Sequence, residues 1–196
     1  CIALGVGTTA IFNSWITKDV RLQVPETVKI VIRGNKPNNV TAKDFMLEVL
    51  RHPYVKTCKA SGKLVEYCGD AVEALSVDER ATMTNMTAEV GGFTGYVAPD
   101  DKTVAYLMDY RTMSRGEAER LCASLTSDAG AEYCEVIEID ASGIRPMIAL
   151  PGDPGNGLYI HDVTQRIKVD IAYAGSCTAG KKEDMDMYAR VLAEAA

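Results

Sequence analysis

Ile167-Lys-Val-Asp-Ile-Ala-Tyr-Ala174 runs into Gly175-Ser-Cys-Thr178, and a polar stretch containing Lys181-Lys-Glu-Asp184 follows. The first run reads as a strand and the last as the opening of a helix, which places Cys177 at a strand-to-helix junction. Strand, turn and helix in succession are the repeating unit of α/β proteins. A cysteine at such a junction is exposed at a strand end, among backbone N–H groups at a helix start. That setting lowers a thiol's pKa and yields a thiolate, fit to be a nucleophile or a metal ligand. The same tetrapeptide also suits a small core cysteine, because Cys is among the residue types most often buried. The rest of the chain decides between the two.

Upstream, strands and helices alternate. Gly5-Val-Gly7-Thr8-Thr9 reads as a turn feeding a helix over Ala10 to Trp15, its glycines serving packing. Val28, Ile30 and Ile32 lie on one face of a strand, opposite Lys29, Val31 and Arg33. After a turn over Gly34 to Asn39, Thr41 caps a helix with Phe45, Met46, Val49 and Leu50 inward, ended by Pro53. Lys63 to Cys68 is a short strand. Ser76-Val-Asp-Glu79 is a capping box, and its helix is expected to run to about Val90, before Gly91-Gly92. Asn85 and Glu89 share a face of that helix, beside the small residues Ala81, Thr84 and Ala88. An amide and a carboxylate over small residues suggest close approach by a ligand, with a solvated polar stripe as the alternative.

Ala98-Pro-Asp-Asp101 is a turn before a helix ending near Met108. Ser114-Arg-Gly-Glu117 is a second capping box, with Ala118, Leu121, Cys122 and Leu125 expected inward. Glu135 to Asp140 alternates as a strand. Leu150 to Gly155 is a rigid loop suited to a site wall or a domain junction. The last helix has an apolar face of Met185, Tyr188, Val191, Leu192 and Ala195. The succession predicts an α/β protein.

Composition narrows the function. Lys and Arg number 21 against 27 Asp and Glu, with no basic cluster, which argues against nucleic acid or an anionic membrane as the main partner. No apolar run reaches the length of a membrane span, and no signal peptide is recognisable. The six cysteines, Cys1, Cys58, Cys68, Cys122, Cys134 and Cys177, form no Cys-x-x-Cys pair or zinc spacing. They read as reduced thiols in a cytoplasmic protein. His52 and His161 lie in loop contexts without metal spacing. The chain opens on Cys1 without an initiator Met and closes on Leu192-Ala-Glu-Ala-Ala196 in mid-helix by pattern, so both ends read as cuts in a longer protein.

Taken in order, these segments resemble the aconitase family of iron–sulfur hydro-lyases, in the isopropylmalate and homoaconitate branch. The similarity is collinear over nearly the whole chain. Leu4-Gly-Val-Gly-Thr8, Val24-Pro-Glu-Thr-Val28 and Val40-Thr-Ala-Lys-Asp44 resemble successive family motifs. Val65-Glu-Tyr67, Glu73-Ala-Leu-Ser76 and Thr84-Asn-Met-Thr-Ala-Glu89 match the stretch leading to the family's active-site helix. Ala98-Pro-Asp-Asp101 is similar to the Ala-Pro-Asp-Glu of that branch, and Gly175-Ser-Cys-Thr178 to the first cluster-binding motif.

The resemblance implies three-layer α/β/α domains with mixed sheets and a 4Fe-4S cluster held by three cysteines, with one iron left to bind substrate. It casts Cys177 as the first metal ligand, and Asn85 and Glu89 as catalytic residues at the departing hydroxyl. The implied reaction is dehydration or isomerisation of a small branched hydroxy di- or tricarboxylic acid, with a separate small subunit or swivelling domain as partner. The implied division is a tail over 1–24, an α/β domain over 25–108 carrying Asn85 and Glu89, and a connector with the start of the next α/β domain over 109–196. The remaining two cysteine ligands are expected outside this chain. Ala179 and Gly180-Lys181-Lys182 depart from the family, which has Asn two residues after the cysteine. A cluster-free binding or regulatory domain is the alternative, and a zinc or redox protein the third reading.

Overall fold

The computed structural model of the protein describes residues 2–4, 7–19 and 23–195. Cys1 and the Gly5-Val6 part of the first glycine turn lie outside them. Strands β1 (Ile2–Leu4), β2 (Thr27–Arg33), β3 (Leu64–Cys68), β4 (Thr94–Val97) and β5 (Glu135–Asp140) form one sheet in the order β1-β4-β3-β2-β5. β1 runs antiparallel to β4 and the other pairings are parallel, so the sheet is mixed and the class is α/β.

Helices α2 (Ala42–Arg51), α4 (Asp70–Ala74) and α5 (Val77–Asn85) connect the parallel strands on one face. That face carries the predicted row Val28, Ile30 and Ile32, all at most 1% exposed, with Val65 and Tyr67 beside it. α2 answers with Phe45, Met46, Val49 and Leu50, all in the same core. Each such side chain contributes about 1.5–3 kcal/mol on leaving water. Thr41 and Asp44 form the capping box that starts α2, and Pro53 opens the short α3 (Pro53–Lys56).

The return from β4 to β5 passes through α6 (Asp101–Arg111) and α7 (Arg115–Ala123) to the other face. There Ser127 Oγ and Tyr133 Oη each donate to the Glu66 carboxylate at 2.9 Å. A hairpin of β6 (Met147–Ala149) and β7 (Gly157–Tyr159) packs on α2. The chain also forms α1 (Thr8–Thr17) and ends in α8 (Lys182–Ala195).

Several expectations change. β1 and β5 belong to the same sheet as β2 to β4, so the sheet does not follow the divisions expected at 24/25 and 108/109. Leu121 and Leu125 are 41% and 53% exposed, and only Ala118 and Cys122 of that face pack, against Val104. The α5 helix stops at Asn85 and tightens into a 3-10 turn over Met86–Ala88 instead of running to Val90. Ile167 to Ala174 forms no strand. Its alternation is strand-like, but a strand needs a neighbour for its backbone groups, and here Ile171 and Tyr173 stand 86% and 83% exposed.

Candidate functional site

α5 is seated before it carries anything. Ser76 Oγ accepts from Glu79 N at 3.1 Å and Glu79 accepts from Ser76 N at 3.3 Å, closing the capping box. One turn on, Arg80 is only 1% exposed. Its Nη1 and Nη2 donate to the two Asp100 oxygens at 2.8 and 2.5 Å, and Nη2 also donates to the Glu73 carbonyl at 2.8 Å. Burial pushes the Asp100 carboxyl up, but the Arg80 bonds and the N–H groups of the α6 start outweigh it and hold it below its ordinary value.

Of the small residues expected beside Asn85 and Glu89, Thr84 faces strand β4 and Ala88 is exposed. Thr84 is buried, and a Cβ on Gly95 would lie 2.7 Å from Thr84 Cα and 2.2 Å from Thr87 Oγ1. At Thr84 the close approach is therefore made by β4, which only a glycine at 95 permits. Thr87 is held in turn by the buried Tyr67 hydroxyl at 2.9 Å.

The Cys177 turn docks on a different side of α5. Thr82 Oγ1 donates to the Thr178 carbonyl at 3.0 Å. Lys181 Nζ donates to Thr82 Oγ1 at 2.8 Å and to the same carbonyl at 3.1 Å, and pairs with Asp184 at 2.9 Å. Ser76 Oγ reaches Glu183 at 2.6 Å. Thr178 is thereby buried while Cys177 stays exposed. Gly175 and Ser176 have φ of +144° and +109°, a conformation that costs a serine about 1–3 kcal/mol. α8 opens only at Lys182, so Cys177 lies in the turn before the helix and not in its first turn.

Thr178 and Glu89 line one cavity of about 510 Å³. Its walls come from Thr41 at the cap of α2, Lys43 and Leu47 of α2, the 3-10 turn after α5 (Met86), the β6 strand (Met147) and Pro154. Pro154 belongs to the rigid loop expected as a site wall. Asp44 stiffens the junction: Oδ1 accepts from Met147 N and Oδ2 from Thr41 N, both at 2.7 Å. The sequence-predicted residues are thus placed unequally. Glu89 is exposed and lines the cavity, Cys177 stands one residue from its Thr178 wall, and Asn85 is half-buried at the end of α5 and does not line it.

The contacts that tie Thr82 to Thr178 and Lys181 escaped sequence reasoning. Thr82 stands one helical turn before Asn85 and Met86, and that spacing was the available signal. A cysteine sulfur on an exposed turn is the ligand type that holds iron–sulfur clusters. Among the described residues no group of three or more His, Cys, Asp or Glu side chains could hold a metal. Cys177, a free and exposed thiol, belongs to no such group. No helix among the described residues is long and apolar enough to cross a membrane.

The aconitase family (aconitate hydratase) model matches residues 1–196. The chain is 39% identical over 191 residues to 3-isopropylmalate dehydratase large subunit 1 of Pyrococcus furiosus, covering 97% of this chain and 43% of that protein. It is 35% identical over 189 residues to the 3-isopropylmalate dehydratase large subunit of Sulfurovum sp., covering 96% and 44%. It is 37% identical over 190 residues to that of Aliarcobacter butzleri, again covering 96% and 44%. The chain therefore spans less than half the length of these relatives.

Proposed function

This chain belongs to the aconitase family, and on that premise we propose that it is part of an iron–sulfur hydro-lyase acting on a branched hydroxy di- or tricarboxylic acid. The relatives' names point to 3-isopropylmalate as the compound to try first. One observation carries the reading: the turn bearing Cys177 is bonded to α5, and Glu89 lines one cavity with Thr178 beside that cysteine.

Cys177 would hold one corner of a 4Fe-4S cluster, the other cysteines coming from outside this chain. The cluster, when bound, supplies a Lewis acid that polarises the departing hydroxyl. Glu89 gives that hydroxyl its proton, so that oxygen leaves as water rather than hydroxide. The carbon–oxygen bond breaks as a base outside this chain takes the proton from the neighbouring carbon, and the released pair forms the double bond. Asn85, expected beside the same hydroxyl, does not line the cavity and is given no contact with the substrate in this step. Reversing the proton transfers hydrates the alkene. The five described thiols are free, which suits a reduced, cytoplasmic setting.

The relatives are named large subunits, so a small subunit is the partner to supply. We place the start of a further α/β unit at the turn and helix over 163–195. The test is iron and sulfide analysis, with turnover of 3-isopropylmalate, on the full-length protein with its partner and on residues 1–196 alone. Cluster and turnover in the first and neither in the second are expected. A folded, iron-free full-length protein would instead mean a cluster-free binding domain.

A further inference from the structure

The cavity shared by Glu89 and Thr178 has one basic side chain in its wall, Lys43 in the first turn of α2. The neighbouring bases are engaged: Lys36 with Glu79, Arg51 with Glu48 and Lys181 with Asp184. Lys43 is exposed and takes part in no ion pair among the described residues. Of the two acids in the same wall, Asp44 already accepts from Thr41 and Met147, so Glu89 is the acid left to the cavity. Beside Thr41 and Thr178, the rest of the lining is apolar, with Leu47, Met86, Met147, Ile148 and Pro154 in it.

A cavity with one ammonium that has no ion pair among the described residues, one carboxyl left to it and a largely apolar lining is matched by a molecule with a carboxylate, a hydroxyl and a branched alkyl group. We infer that Lys43 is a carboxylate-binding residue: it receives one carboxylate of the substrate while the Met147 wall receives the alkyl branch and Glu89 meets the hydroxyl. This rests on the function proposed above. A carboxylate brought beside Glu89 needs a positive charge to offset the repulsion, and Lys43 is the group placed to give it. The flexible lysine stem lets the ammonium follow the carboxylate as the acid turns over.

The test uses the full-length protein with its partner and 2-isopropylsuccinate, which keeps both carboxylates and the branch but lacks the hydroxyl. Its binding is measured by equilibrium dialysis, alongside KM, kcat and iron content with 3-isopropylmalate. Lys43→Met is expected to weaken 2-isopropylsuccinate binding and raise KM by about ten- to a hundredfold, the range for a lost charged hydrogen bond. Iron content stays at the wild-type level, kcat falls far less than KM rises, and Lys43→Arg recovers most of the affinity. Unchanged affinity in Lys43→Met overturns the inference, and so does loss of iron in step with affinity. If the wild type carries iron but does not turn over 3-isopropylmalate, the proposed reaction fails, and the dialysis arm still decides Lys43.

Discussion

Taking the Arg80 guanidinium out of water costs several kcal/mol, which its fork of bonds to Asp100 and the Glu73 carbonyl must offset. The two partners are therefore unequal under mutation. Asp100→Ala strands a charge that is 1% exposed and is expected to cost about 3–5 kcal/mol in denaturant unfolding. Arg80→Met removes the charge instead, leaves a carboxylate that water still reaches, and costs less. Asp100 is held below its ordinary value of 3.8, so its contribution is fully present above that pH. It is lost as pH falls through the lower folded value. Acid unfolding should be shallower below about pH 4 in Asp100→Asn than in the wild type. Equal acid slopes would remove Asp100 from the account of acid stability. Sequence could mark Asp100 as a turn residue, but not its partner, because Arg80 reads as an ordinary polar helix position until the fold buries it.

At the scale of elements, what could be read depended on whether neighbours in sequence enforced the pattern. β2, α2 and the capped start of α5 announce themselves through alternation, Thr41 and the Ser76–Glu79 pair, and all three form. β1, β4, β6 and β7 are three or four residues long, too short for a period to show, and their existence depends on partners. The opposite failure is 167–174, where alternation is complete and no strand forms. Ile167, Val169, Ile171 and Tyr173 form an exposed apolar row, and Val191 and Leu192 of α8 are more than half exposed. If 163–195 begins a further α/β unit, the longer protein should cover this row. Limited proteolysis should then cut residues 1–196 within 163–175 while the full-length protein resists there. Equal cutting in both would sink that placement.

Across the whole molecule, the fold brings together two segments far apart in sequence, the 3-10 turn region at Glu89 and the turn at Cys177. Glu89 lines the cavity, and the Cys177 turn is carried to it by the Thr82, Thr178 and Lys181 contacts. The resemblance to the aconitase family pointed to both residues, because each stands in a recognisable motif. The struts between them stayed hidden, since Thr82 and Lys181 act only through a contact across the fold. Helical spacing sets Asn85 on the face of Glu89, yet of the two only Glu89 lines the cavity after the tightening that follows α5. The measurement that bears most directly on the joined site compares Cys177→Ser and Glu89→Gln in the full-length protein with its partner. Cys177→Ser should lose iron and activity together, because a hydroxyl is a poor substitute for a soft thiolate. Glu89→Gln should keep wild-type iron while kcat falls by about a hundredfold to ten-thousandfold, or about 3–5 kcal/mol of barrier. A Glu89→Gln protein that runs at the wild-type rate, or that loses its iron as Cys177→Ser does, would contradict the account.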